Sequence, residues 1–146
     1  DNFDSKKAKK LLKDLDLVYA PPYSSAKDPV NVAGYIADNI ICGLVKQFYY
    51  EDIVSLRKRN DVILLDTRTV NEYSKGHAES FINIPLDDLR NNLNLLDKNK
   101  KIYVMCQSGL RSYLAVRILM ENNFDAYNFV GGYKLYSSIE KDRIGN

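Results

Sequence analysis

The apolar residues fall into short unbroken runs set between polar turn signals. Val62-Ile63-Leu64-Leu65 follows Asn60-Asp61, and Ile102-Tyr103-Val104-Met105 follows Lys98-Asn99-Lys100-Lys101. Unbroken runs of this length predict strands covered on both faces, the pattern of a parallel sheet. Gln47-Phe48-Tyr49, Phe81-Ile82-Asn83-Ile84 and Ala126-Tyr127-Asn128-Phe129-Val130 predict further strands, the second ended by Pro85. Helical spacing alternates with them. Ile53, Val54 and Leu56 predict a helix whose basic end, Arg57-Lys58-Arg59, suits a C-terminus, and Glu72-Tyr73 continue a short one. Leu89, Leu93 and Leu96 predict the inner face of a polar helix from Asp87 to Leu96. A helix begins near Ser112, carries Tyr113, Leu114, Val116, Arg117, Leu119 and Met120, and stops at Asn122-Asn123. Tyr133 to Ile139 closes the pattern, with Lys141 to Asn146 a frayed polar tail.

Residues 1–46 read differently. Ser5 caps a short basic helix, Lys6 to Lys13, with Ala8, Leu11 and Leu12 on one side, and Leu15 to Ala20 is an extended candidate. Pro21-Pro22 excludes helix there, whereas Asp28-Pro29 starts one through Val32, Ala33, Ile36, Ala37, Ile40 and Ile41 to a stop at Gly43. That helix is too apolar to stand alone. It is expected to pack on the downstream domain, 47–146, or on a missing partner, which makes 1–46 a helical appendage.

The candidate chemistry lies where the second buried run stops, at Cys106-Gln107-Ser108-Gly109-Leu110-Arg111-Ser112. In open α/β sheets ligands bind outside the carboxyl ends of the strands. A thiolate is favoured beside a cation and at a helix N-terminus, and Arg111 and the following helix are expected to provide both. Gly109 frees the backbone to curl its N–H groups, from Gln107 to Ser112, around an anionic sulfur. The plain alternative is a small buried hydrophobe at a strand end. Asp66 and Arg68, ending the first run, suit either proton transfer or an ion pair that fixes their loop, and the ion pair is the expected role. His77, the sole histidine, is a candidate base only if it reaches the cysteine.

Composition narrows the classes. The chain of 146 residues carries a net charge of +2 with both signs interspersed, which argues against a dedicated nucleic-acid surface. No apolar run reaches membrane-spanning length, and the start lacks the pattern of a signal peptide, so a cytoplasmic protein without membrane contact is expected. Two distant cysteines make no disulfide scaffold, and one histidine without a CxxC excludes the usual zinc sites. Beginning without methionine, the chain is expected to be a piece of something longer.

The blocks Leu64-Leu65-Asp66-Thr67-Arg68 with Glu72-Tyr73 and Gly76-His77, then Asn83-Ile84-Pro85-Leu86, then Cys106 to Ser112, and finally Gly131-Gly132 resemble the rhodanese family of sulfurtransferases over about residues 47 to 140. Cysteine-dependent phosphatases place five residues between cysteine and arginine. The four here, Gln107 to Leu110, resemble the smaller rhodanese loop, which suits a persulfide rather than a phosphoryl group. The resemblance implies a three-layer α/β fold with a small, mainly parallel sheet flanked by helices, and Cys106 as the nucleophile that carries sulfur from a small-molecule donor to a thiol acceptor. It gives His77 a structural turn role, lets Gly131-Gly132 approach the active loop, and lets Tyr136 replace the family's usual tryptophan. The competing readings are a non-catalytic binding module and phosphatase or arsenate-reductase-like chemistry. At 78–81 the chain has Ala-Glu-Ser-Phe where the family usually has Ile-x-Gly-Ala.

Leu17 to Asn31, with Ala33-Gly34-Tyr35, resembles the end of the dimerisation domain of FAD-dependent coenzyme A-disulfide reductases and related NADH oxidases, some of which carry a C-terminal rhodanese domain. This likeness spans about residues 4 to 44. It implies a parent protein that uses FAD and coenzyme A, a homodimer contact through 1–46, and Tyr23 or Tyr19 near the partner subunit's redox site; packing beneath the proline turn is the alternative for both tyrosines. None of the seven glycines forms a GxGxxG, so no cofactor is expected within this chain and the reductase activity belongs to a missing flavin-binding region.

Overall fold

The computed structural model describes residues 44–145. By its contacts the chain divides into two units, 1–46 and 47–146, and apart from Lys46, the first residue of the first strand, the elements that follow lie in the second. Expectations placed on residues 1–43, Tyr19 and Tyr23 included, lie outside the described residues.

Strands β1 (Lys46–Phe48), β2 (Val62–Asp66), β3 (Ile82–Asn83), β4 (Lys101–Met105) and β5 (Ala126–Phe129) form one sheet in the order β1-β5-β4-β2-β3. The pairings of β2 with β3, β2 with β4 and β4 with β5 are parallel, and β2 and β4 match over their whole length, Val62 opposite Lys101 through Asp66 opposite Met105. This central register brings the carboxyl ends of both strands to one edge. The helices are α1 (Ile53–Arg57), α2 (Val70–Lys75), α3 (Leu86–Leu89), α4 (Leu110–Glu121) and α5 (Gly132–Ile144). One face of the sheet packs Tyr103, Met105 and Phe129 with Ile53 and Leu56 of α1 and Tyr136 of α5. On the other face α4 lies across β4 and β5 and touches α3. Three layers result, an α/β arrangement with helices on both faces of a small, mainly parallel sheet.

Several elements differ from the sequence pattern for local reasons. The helix expected from Asp87 to Leu96 is only the four-residue α3 and a separate 3-10 turn, Leu93–Leu95. Asn92 interrupts it by donating its side-chain amide to Asp88 O at 2.7 Å, the local bonding by which asparagine competes with helix. Leu89 and Leu96 still face inward, but Leu95 is exposed. Val54 points to solvent, and a 3-10 turn, Tyr50–Asp52, precedes α1. β3 is two residues long, β5 stops at Phe129, and α5 continues to Ile144 through most of the expected tail. Its last turn carries Lys141 and Arg143, cations that suit a helix C-terminus.

The departure at 78–81 has a visible backbone cost. Ser80 sits at φ 75°, in the region that favours glycine. Relief of a left-handed residue gains about 1–2 kcal/mol, and the added freedom of unfolded glycine takes back about 0.5–1 kcal/mol. Ser80→Gly is therefore expected to stabilise the domain by about 0.5 kcal/mol, measured as a higher urea midpoint at unchanged slope; a lower midpoint would contradict the strain.

Candidate active site

Cys106 follows the last residue of β4, and Gly109, at φ 119°, turns the chain into α4. The helix starts at Leu110, two residues before the expected Ser112, so its positive end lies closer to the cysteine. Gly109 donates its N–H to Cys106 Sγ at 3.0 Å. The thiol donates to Ser112 Oγ at 3.2 Å, and Ser112 Oγ donates to Gly109 O at 3.2 Å. Of the amides expected to converge from Gln107 to Ser112, that of Gly109 is bonded to the sulfur, and the next residue after this stretch, Tyr113, already gives its N–H to the helix by bonding Gly109 O. The cysteine side chain is 1% exposed. The loop covering it is not: Ser108 is exposed, and Gln107, Gly109, Leu110 and Arg111 are half-buried.

Arg111 has a carboxylate partner that its place in the loop does not announce. Its guanidinium forks onto Glu72, Nη1 to Oε1 at 2.6 Å and Nη2 to Oε2 at 2.9 Å, because a half-buried guanidinium takes a planar bidentate partner readily. Glu72 also accepts the Thr69 N–H at 3.0 Å while Thr69 Oγ1 accepts the Glu72 N–H at 3.2 Å, a capping box on α2. Sequence reasoning gave Glu72 only a place in a helix. The Thr-x-x-Glu spacing of 69–72 signals the cap, but nothing local signals the arginine.

Arg111 foremost, with Thr69, holds the Glu72 carboxyl down to about 2 from the ordinary 4.5. A depressed carboxyl stabilises the fold above its unfolded pKa, and that contribution is lost as the pH falls through the folded one. The expected outcome is a stability loss between pH 4.5 and about 2 that Glu72→Gln reduces, followed by thermal melts across that window; identical pH profiles for both proteins would contradict the assignment.

Asp66 and Arg68 are buried at 0% and 2% exposure. Arg68 Nη2 and Asp66 Oδ2 lie 2.8 Å apart, and the Arg68 N–H also reaches Asp66 Oδ1 at 2.9 Å. The same guanidinium donates to Gly76 O at 2.8 Å and Gln107 Oε1 at 3.3 Å, and stands 4.1 Å from the centre of the Tyr133 ring. This geometry is a brace joining β2, the turn after α2 and the active loop. Asn83 adds to it by donating to Asp66 O at 3.0 Å and Arg68 O at 2.9 Å. His77 is exposed, stacks on Tyr73 with ring centres 3.7 Å apart, and has Nδ1 2.9 Å from Tyr73 O.

The loop is tied from the far side by α5. Tyr133 donates its N–H to Cys106 O at 2.7 Å, and Lys134 to Gln107 O at 3.1 Å. Gly132 permits this at φ 67°: a Cβ there would lie 2.3 Å from Gln107 O. Tyr133 was not singled out from the sequence for this contact, although Gly131-Gly132 marked the approach. Tyr136 is buried in the core beside it. Among the described residues no group of histidine, cysteine or carboxylate side chains is placed to hold a metal, and no helix is long and apolar enough to cross a membrane.

The chain has known relatives. A putative sulfur carrier protein, YrkF of Bacillus subtilis (strain 168), is 38% identical over 61 residues, 42% of this chain and 33% of that protein. The crystal structure of reduced CoADR-RHD from Bacillus anthracis superposes with TM-score 0.72 at 45% identity, covering 88% of this chain and 24% of that one. An NAD-dependent persulfide reductase from A. fulgidus gives TM-score 0.59 at 35% identity, covering 88% and 22%. The chain thus spans a third or less of each of these relatives. The Rhodanese-like domain model matches residues 50–139, from the turn before α1 well into α5, and this chain belongs to the rhodanese-like domain family.

Proposed function

We propose that this chain is a sulfurtransferase that carries sulfane sulfur on Cys106. The supporting observation is the hydrogen bond from Gly109 N–H to Cys106 Sγ at the start of α4, which favours negative charge on that sulfur. The Cys106 thiolate attacks the outer sulfur of thiosulfate or of a persulfide; a new S–S bond forms, the donor's S–S bond breaks, and sulfite or the donor thiolate leaves. An acceptor thiolate then attacks the outer sulfur, takes it, and returns Cys106 as thiolate. Two easier steps replace one. On deprotonation the Ser112 hydroxyl, now bonded to Gly109 O, is free to rotate and donate to the sulfur.

The wider setting is a fused pyridine nucleotide-disulfide reductase whose flavin region, using FAD, supplies the reducing chemistry, with coenzyme A persulfide as the natural donor and the cytoplasm as the compartment. Support comes from the CoADR-RHD and persulfide reductase likenesses, whose 88% share exceeds what residues 47–146 alone contain. In that setting residues 1–46 contribute to a homodimer contact.

The burial of Cys106 favours a second reading, a binding module of rhodanese shape that performs no transfer. Weighing the chain after incubation with thiosulfate separates the two. Gain of one sulfur atom, localised by peptide mapping to Cys106 and removed by cyanide, is the expected outcome. No gain leaves the module, and phosphate-ester turnover without gain supports phosphatase chemistry instead.

A further inference from the structure

Along α5 runs an open groove of about 540 Å³ that the sulfur chemistry does not use. Its walls carry Arg57, Lys141 and Arg143, the rings of Tyr133 and Tyr136, and His77. Two carboxylates, Glu79 and Glu140, also line it, so the three cations leave positive charge in excess. Glu140 is already taken by Arg143, at 2.9 Å, and by the Tyr50 hydroxyl. Arg57 donates to two neutral oxygens, Glu79 O and Tyr136 Oη, each at 2.9 Å, which orient its guanidinium without cancelling its charge.

The groove begins where the active loop is braced. Tyr133 lines it and also holds Cys106 O with its N–H. His77 lines it and adjoins Gly76, whose carbonyl accepts from Arg68. The cations of the last turn lie at the other end: from Tyr133 to Lys141 is eight residues of helix, about 12 Å. An anion bound there is too far from the loop to belong to a small thiol.

We infer that this groove binds the phosphate-bearing end of a long-armed thiol acceptor whose sulfur reaches Cys106 at the Tyr133 end. The inference rests on the sulfurtransferase reading and names its acceptor class: a thiol separated from its phosphates by about 12 Å or more. The half-buried Tyr133 gives such an arm an apolar edge to pass over, and the cations supply an attraction that weakens with salt. The chemistry is unaltered, since the acceptor thiolate takes the outer sulfur and Cys106 leaves as thiolate with no added oxidant or reductant.

The test loads the full chain with sulfur from thiosulfate and compares coenzyme A with pantetheine, which has the same thiol arm without the phosphates and nucleotide. In Lys141→Glu/Arg143→Glu the ratio of KM for coenzyme A to KM for pantetheine is expected to rise about tenfold, as reversal of two half-screened charges implies. Lys141→Gln alone, which leaves the Arg143 pair intact, is expected to raise the ratio less, by about threefold. Lys98→Glu, a charge reversal away from the groove, is expected to leave it unchanged. A ratio unaltered by both groove variants overturns the groove while leaving the sulfur chemistry standing. Failure of the unaltered chain to take sulfur on Cys106 overturns the transfer reading and the groove with it.

Discussion

Gly132→Ala is expected to cost about 3 kcal/mol of stability and to lower sulfur loading of Cys106 by more than tenfold. A Cβ at this position would stand 2.3 Å from Gln107 O and 2.7 Å from Ser108 N, both backbone atoms of the active loop. No side chain can swing away to make room. Either α5 or the loop must shift, parting the bonds from Tyr133 to Cys106 O and from Lys134 to Gln107 O. Two lost hydrogen bonds at about 1 kcal/mol each, with about 1–2 kcal/mol for an alanine at positive φ, less the small gain from stiffening the unfolded chain, give the figure. Gly109→Ala isolates the strain. It too has positive φ, but its Cβ would meet nothing within 4 Å, so about 1 kcal/mol is expected. Urea denaturation of both variants measures the difference, and equal losses would refute the close-approach explanation.

The second large effect is at Arg68. Removing its guanidinium leaves the Asp66 carboxylate, fully buried, without its ionic partner, a change that costs about 3–5 kcal/mol in buried pairs. Arg68→Met is expected to lose that much in denaturant titration, and sulfur loading with it, since Gly76 O and Gln107 Oε1 lose their donor as well. The double variant Asp66→Leu/Arg68→Met is expected to recover about half of the loss, because no charge is then stranded. A double variant as unstable as the single one would show that the hydrogen bonds to the loop, rather than the pair, carry the stability.

What the residue pattern revealed followed from how far each cause reaches along the chain. β2 and β4 were legible because burial on both faces writes an unbroken apolar run. The turn from Cys106 through Gly109 was legible because the strand end, the glycine and the helix start are neighbours in sequence. The helix between Asp87 and Leu96 was misread because leucine spacing suggested a continuous face, while Asn92 bonding to Asp88 O broke the backbone. Arg111's carboxylate partner was hidden for the opposite reason. Its partner Glu72 is a helix cap on a different element, and only the register of β2 against β4 brings their following helices together. The tie from Tyr133 to Cys106 was half visible: the glycine pair announced a close approach, but not which amides would use it.

That tie bears on the order in which the surroundings of Cys106 are completed. Synthesis delivers Cys106 well before Tyr133 and Lys134, whose N–H groups fix the carbonyls of the loop's first two peptides. Until the thirteen residues of α5 have left the ribosome and docked, those carbonyls lack their donors. The nascent cysteine therefore waits in an unfinished pocket that only the docking of α5 completes.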